Sequence, residues 1–394
     1  MENPAQGKTT AAGKTTSEVV FVPSAEKTTS EVVFRSAVVF PSAGFSTDRH
    51  PSPFVISVGN IAFGGRGKTP TVAAIARLLL EMGERPAILS RGYGRRRTED
   101  GVVVVSDGRH LLADVDRAGD EPLMLARDLP GVAVLVCDQR AIAGAFARHI
   151  LRATALVLDD GFQHRQMARD VDLVLVTPGD LTGRRAPFGA LREPVSALAR
   201  ADAVIEDRGT QGDGCRSVEN PAGEKTSGVF LPASAKKTPD VFSVTGFSTD
   251  RHPSPFRLVR HTGTPVSIET GVPALAPGAR VIALAGIAGP ARFTRAVEDA
   301  GYVVAGAWGP GDHHRYTRAD LARLARDVRA GGAAGVLTTS KDAVRLRALR
   351  PLPVPVYEWP LRVTIEPAAE FAGWLAAQVQ SARGRSGGSS AVPA

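Results

Sequence analysis

A short apolar run, Phe54-Val55-Ile56-Ser57-Val58, leads into Gly59-Asn60-Ile61-Ala62-Phe63-Gly64-Gly65-Arg66-Gly67-Lys68-Thr69-Pro70, and residues 71–82 then carry a helical period that stops at Gly83. A strand, a glycine-rich turn and a helix in that order leave few folds open. Glycines let successive backbone N–H groups curl around an anion, and the helix N-terminus adds its positive end. In such a loop Gly64, Gly65, Arg66 and Gly67 cradle phosphate, Lys68 neutralises β/γ-phosphate charge and the Thr69 hydroxyl ligates Mg²⁺. The generic pattern has a first glycine five residues before Gly67, and this chain has Ala62 there. The loop alone predicts binding of a nucleoside triphosphate.

Apolar and helical segments alternate through the rest of the chain. Residues 86–90, the valine-rich 101–106, 132–137, 155–158 and 171–176 read as strands, with helical stretches at 121–128 and 140–151. The style returns with strands at 280–285, 302–307 and 334–339 and helices at 291–300 and 318–330. This predicts an α/β protein of the P-loop NTPase-like kind. Its sheet is mostly parallel with helices on both faces, and a smaller C-terminal α/β domain follows.

Repeats mark the boundaries. Lys-Thr-Thr-Ser-Glu-Val-Val-Phe occurs at 14–21 and 27–34, and Gly-Phe-Ser-Thr-Asp-Arg-His-Pro-Ser-Pro-Phe at 44–54 and 246–256. Glu-Asn-Pro-Ala occurs at 2–5 and 219–222, so two segments of different length start and end alike. Two distant copies do not make a stacked array. Their Ser/Thr/Pro/Gly content reads as inserted repetitive sequence. The expected division is a disordered repeat segment at 1–53, a nucleotide-binding domain at 54–208, an inserted linker at 209–257, a C-terminal domain at 258–380 and a disordered tail at 381–394.

Whole-chain composition excludes more than it selects. No run of about 18 apolar residues is present, so no transmembrane helix is expected. The N-terminus lacks the layout of a secretory signal. Cys137 and Cys215 are too few for a disulfide framework and lack metal-site spacing, which makes a reducing cytoplasm the default. The net charge of +8 suits nucleic acid, an anionic membrane or an anionic substrate without choosing among them. Lysine is scarcer than that charge suggests. Of 48 basic residues only eight are lysine, and outside the repeats only Lys68 and Lys341 remain. Arg and Lys are not interchangeable at a phosphate site, so both positions are of interest.

Three further motifs carry chemistry. Asp159-Asp160-Gly161-Phe162-Gln163-His164 follows an apolar strand, where a carboxylate can hold Mg²⁺ directly or through water. Adjacent carboxylates point to different sides, so the two should differ in role. Gly119-Asp120-Glu121-Pro122 opens a helix, and its carboxylates read either as caps or as a functional pair. Gly311-Asp312-His313-His314-Arg315-Tyr316 reads as a metal site, as a histidine orienting a carboxylate base, or as a surface loop.

Together these strings resemble the tetraacyldisaccharide 4'-kinases, the lipid A 4'-kinases of Gram-negative bacteria. The resemblance also rests on Leu89-Ser90-Arg91-Gly92-Tyr93-Gly94, Pro187-Phe188-Gly189-Ala190-Leu191-Arg192-Glu193, Gly286-Ile287-Ala288 with Arg292-Phe293, and Thr338-Thr339-Ser340-Lys341-Asp342-Ala343. It covers about 55–208 and 258–375 in order and spacing. It implies ATP-dependent, Mg²⁺-assisted phosphorylation of the 4'-hydroxyl of an acylated glucosamine disaccharide 1-phosphate. By the same resemblance Asp120 is the base, His313 its partner and Arg140 an active-site arginine. Lys68 then shares with Arg140 the charge developing on the transferring group. Asp159 and Asp160 become the Mg²⁺-associated pair, and Gln163 and His164 lie near the nucleotide. A peripheral place on the cytoplasmic face of the inner membrane follows, with no nucleic-acid partner, and the oligomeric state is left open. Two departures stand out. The family's hydrophobic, basic N-terminal helix is replaced by the first repeat, and Arg66 stands where the family usually has Thr.

Other readings stay open on the sequence alone. One is a nucleotide-dependent regulatory switch, although Lys341 and Asp342 are adjacent and do not have the guanine-reading spacing. Others are a non-catalytic binder of anionic surfaces and a kinase gene damaged by insertions.

Overall fold

The computed structural model describes residues 52–209 and 256–387, so the expectations for most of both repeats and for the last residues of the tail lie outside the described residues. The two identical repeat ends lead directly into strands, at Phe54 and at Phe256.

Strand β1 (Phe54–Asn60) is buried along its whole length, as a continuous apolar run predicts for the centre of a parallel sheet. Helix α1 (Lys68–Glu81) begins at the lysine of the glycine loop. Then come β2 (Pro86–Ser90), β3 (Val103–Asp107), α2 (Val115–Ala118), α3 (Asp120–Asp128), β4 (Ala133–Val136) and α4 (Arg140–His149). The half closes with β5 (Ala155–Asp159), β6 (Val171–Val176), α5 (Pro178–Leu181), a 3₁₀ turn at Val195–Arg200 and β7 (Ala203–Glu206).

The second half holds β8 (Phe256–Thr262), β9 (Val266–Ser267), β10 (Arg280–Leu284), α6 (Pro290–Asp299), β11 (Val303–Trp308) and α7 (Arg318–Ala330). It ends with β12 (Gly335–Thr339), α8 (Ser340–Arg347), β13 (Val356–Trp359), β14 (Leu361–Glu366) and α9 (Ala368–Gly387).

Nine strands form one sheet in the order β14-β8-β7-β6-β1-β5-β2-β4-β3, parallel except at its two edges, where β3 and β14 run antiparallel to their neighbours. Side chains alternate across it. Ile88, Ala155 and Val157 share a core with Val72, Ile75 and Leu79 of α1. Leu89 and Leu156 reach the other face, where they approach Gly144 of α4. Helices therefore cover both faces. Five strands form the smaller sheet, β11-β10-β12-β13-β9, parallel except for β9.

Two features depart from the sequence expectations. The division at residue 258 does not coincide with the sheets, because β8 and β14 both belong to the large one. In β8 Phe256 and Leu258 alternate with exposed Arg257 and Val259, so one face joins the main core and the chain leaves for the small sheet only afterwards. The tail was expected to be disordered from 381, but α9 continues to Gly387. Phe371, Leu375 and Val379 of α9 recur at helical spacing and are buried in the large core, which holds this helix in place.

Candidate active site

β1 and β5 are neighbours, with Val58 opposite Asp159, so the glycine loop after one strand and the carboxylates after the other open at the same sheet edge. In open α/β sheets ligands bind outside the carboxyl ends of such strands. Gly67 caps α1 in the left-handed region at φ 74°, and α1 has neither a side-chain cap nor an acidic residue in its first turn. Its positive end is thus free for an anion. A Cβ on Gly64 or Gly65 would meet nothing within 4 Å, so the loop borders open space. Thr69 stands in the first turn of α1, as the loop reading expects.

Lys68 Nζ lies 3.2 Å from Asn60 Oδ1 and 3.3 Å from Asp160 Oδ1. Arg66 is expected in the cradle by its place in the loop. Its guanidinium turns to Asp180, 2.7 Å away, whose other oxygen caps α5 through the Thr177 N–H.

Asp159 and Asp160 have different surroundings. Asp159 is buried, and its Oδ2 accepts from Ser90 Oγ at 3.3 Å. Burial, then Glu121 and Asp160, push its carboxyl up to about 7 against Lys68 and Arg140. Asp160 adopts φ 52°, which turns its side chain towards Lys68 and, at 3.0 Å, Arg192. Burial alone would raise it, but Lys68 and Arg192 hold it below the usual carboxylate range. The next residue must be glycine, because a Cβ at Gly161 would stand 2.6 Å from Ser57 Oγ and 2.8 Å from Leu158 Cβ.

Arg140 is 1% exposed and donates to the Asp159 carbonyl at 2.7 Å. Its Nε and Nη1 have no partner among the described residues. A buried donor without a partner is costly, so these atoms favour an incoming anionic group. Gln163 Nε2 bonds the Asn60 carbonyl at 2.8 Å and Glu193 at 3.1 Å, beside the glycine loop. His164 is buried, and burial with Arg140, Arg91 and Arg169 nearby depresses its imidazole pKa.

Two carboxylates and a hydroxyl suit Mg²⁺, a hard cation commonly held by one or two carboxylates plus substrate phosphates. Asp159 and Asp160 with Thr69 would provide that donor set. The desolvated Asp159 carboxyl gives the fit a physical reason, since a divalent cation would stabilise its ionised form.

Asp120 opens α3 after Gly119 and is 5% exposed. His313 approaches it from the small-sheet half, with Nδ1 3.1 Å from Asp120 Oδ2. His313 takes φ 56°, and its ring meets Tyr93 edge-on at 5.2 Å between centroids. The pairing expected between distant motifs is therefore present. His314 instead bonds Asp320, the residue that completes the capping box of α7.

The family described as LpxK, Tetraacyldisaccharide-1-P 4'-kinase, matches residues 29–380. This chain belongs to the tetraacyldisaccharide 4'-kinase family. A relative named tetraacyldisaccharide 4'-kinase from Anaeromyxobacter sp. (strain Fw109-5) is 43% identical over 75% of this chain and 74% of its own. Another of that name, from Syntrophus aciditrophicus (strain SB), is 36% identical over 80% and 82%. Among solved structures, the "apo" form of LpxK from Aquifex aeolicus in complex with ATP aligns with TM-score 0.60. Its identity is 26%, over 83% of this chain and 89% of that one.

The site contains side chains to which the sequence assigned no definite role. Asn60 and Arg192 flank Lys68 and Asp160, while Glu121, Lys341 and Arg345 surround Asp120. Lys341 was visible as a retained lysine. Arg345, one turn further along α8, had no signal among 40 arginines.

Proposed function

We infer that this chain transfers the γ-phosphate of ATP to the 4'-hydroxyl of an acylated glucosamine disaccharide 1-phosphate, a step of lipid A biosynthesis. The observation that carries the reading is the Asp120–His313 pair, assembled across the two sheets within a site that also holds a phosphate loop. A pure nucleotide switch has no use for a second-lobe histidine on a carboxylate.

Asp120 Oδ2 is taken by Arg345 and His313, whereas Oδ1 accepts only the Glu121 N–H, at 3.0 Å, among the described residues. A carboxylate oxygen has two lone pairs, so Oδ1 can accept the sugar hydroxyl proton. The sugar oxygen forms its bond to the γ-phosphorus as the bond to the β-phosphate oxygen breaks, and ADP leaves. Lys68 and Arg140 stabilise the charge developing on the transferred group. Asp159, Asp160 and Thr69 would hold Mg²⁺, which when bound would neutralise charge on the phosphate oxygens. Gln163 and His164 line the nucleotide side.

The acceptor is a lipid, so the site works at a membrane surface, and the reading includes a peripheral place on the cytoplasmic face of the inner membrane. Among the described residues no helix is long and apolar enough to cross a membrane. Phe188, 83% exposed, and Phe63, 52% exposed, flank the glycine loop beside the exposed Arg184 and Arg185. Apolar tips among cations suit an anionic bilayer surface.

Asp120→Ala should lower kcat by about 10²–10⁴-fold, the usual worth of a general base, with little change in the KM for ATP. Initial-rate kinetics on the acylated disaccharide check this, and full activity in that variant would falsify the assignment of the base.

A further inference from the structure

Lys341 and Arg345 lie one turn apart on α8 and both reach Asp120 from the small-sheet half. Lys341 is 14% exposed at its side chain. Its Nζ lies 3.0 Å from Asp312 Oδ1, 3.2 Å from Glu121 Oε1, 3.2 Å from His313 Nε2 and 3.9 Å from Asp120 Oδ2. Burial opposes its charge, but Glu121, Asp120 and Asp312 outweigh burial and raise its pKa above the ordinary lysine value. Lys341 therefore stays an ammonium, a group that can only donate.

That restriction decides the state of His313. Against the Lys341 ammonium, Nε2 is placed to accept, with Asp312 Oδ1 further off at 3.8 Å, which leaves Nδ1–H for Asp120 Oδ2. Arg345 acts on the other partner. It donates to Asp120 Oδ2 through both Nε and Nη2, and its Nη1 is tied to the buried Asp342 at 3.1 Å. Asp342 in turn accepts from Tyr316 Oη at 2.8 Å, Gly286 N at 2.9 Å and Thr339 Oγ1 at 2.7 Å. The guanidinium is thus anchored to the small sheet and fixes the rotation of Asp120, leaving Oδ1 turned to the α3 side. A planar fork suits that task, and a flexible ammonium does not.

We propose that Lys341 and Arg345 are positioning residues of the phosphoryl-transfer site, Lys341 by locking His313 in the Nδ1–H tautomer and Arg345 by clamping the Asp120 carboxylate. The proposal rests on the kinase reading above for its consequence in rate, but the tautomer can be read without turnover. Neither side chain touches the reacting atoms. Each acts through Asp120 or His313, so its loss should appear in kcat and not in substrate binding.

The test uses the full-length protein with ¹⁵N-labelled histidine, the His313 signals being assigned by their loss in His313→Gln. Wild type should show Nδ1 protonated and Nε2 bare. Lys341→Met should give a mixture or the opposite tautomer and lower kcat at least about tenfold, with both KM values within about threefold. Lys341→Gln, whose amide can still donate to Nε2, should restore the tautomer and part of the rate, which a merely structural lysine would not do. Arg345→Lys should lose kcat nearly as far as Arg345→Met. An unchanged tautomer with wild-type kcat in Lys341→Met would overturn the role of Lys341, and a fully active Arg345→Lys would overturn that of Arg345. A wild type with the Nδ1–H tautomer but no transfer to the acceptor would sink the kinase reading and leave the tautomer lock standing.

Discussion

At the residue scale, the site separates like charges by giving each its own partners. Asp159 is desolvated next to Asp160, and only the second is in direct ion pairs with Lys68 and Arg192. The folded value of Asp159 lies above its unfolded one, so its contribution is present at low pH and is lost as pH rises through about 7. In protein free of nucleotide and divalent cation, Asp159→Asn should therefore raise Tm more at pH ~8.5 than at pH ~5.5, and have little effect only below the unfolded carboxylate value. Thermal melts at both pH values check this, and a difference independent of pH would contradict the buried, near-neutral acid. Arg66 gives a second prediction. Its partner Asp180 holds the guanidinium away from the open side of the loop, and partly exposed pairs of this kind are worth about 0–1 kcal/mol. Arg66→Ala should then change the KM for ATP by less than about fivefold. A loss of about a hundredfold would mean that Arg66 leaves Asp180 for a phosphate.

Elements position these residues, and they differ in how plainly the sequence announces them. The loop between β1 and α1 was legible because glycines, Lys68 and Thr69 have a geometry that few other sequences need. The carboxylate pair was legible because an apolar strand runs straight into it. Strand β3 was seen, but its antiparallel pairing was not, since a valine-rich run does not state its direction. β8 and β14 were not recognised. Each alternates buried apolar residues with exposed arginines, Arg257 in one and Arg362 in the other, and only their antiparallel pairing at long sequence separation shows why the alternation matters. Helix α9 was not recognised, and its last turns were read as a disordered tail from 381 because Gly, Ser and Arg dominate there. Its anchorage comes from earlier turns, where Phe371 and Leu375 are fully buried. Leu375→Ala should cost about 2–5 kcal/mol in urea-induced unfolding, the usual range for a buried leucine. A loss below about 0.5 kcal/mol would show that α9 is not part of the main core.

At the scale of the whole molecule, the central fact is the meeting of two sheets over one carboxylate. Residues 120 and 345 are far apart in sequence, so their contact is set only by the complete fold and no local pattern foretells it. The large sheet supplies the glycine loop, Asp159, Asp160, Arg140 and Asp120. The small one supplies His313, Lys341 and Arg345. A site divided in this way can be assembled by closure on the acceptor, which ties rate to the relation between the halves. The most direct measurement is transfer of label from γ-labelled ATP to the 4'-position of the acylated disaccharide 1-phosphate. Wild type should transfer label in a Mg²⁺-dependent way, and Lys68→Met should reduce kcat by about 10²–10³-fold, the usual worth of one group that stabilises the transition state. ATP hydrolysis without label on the disaccharide, or transfer undiminished in Lys68→Met, would contradict the account.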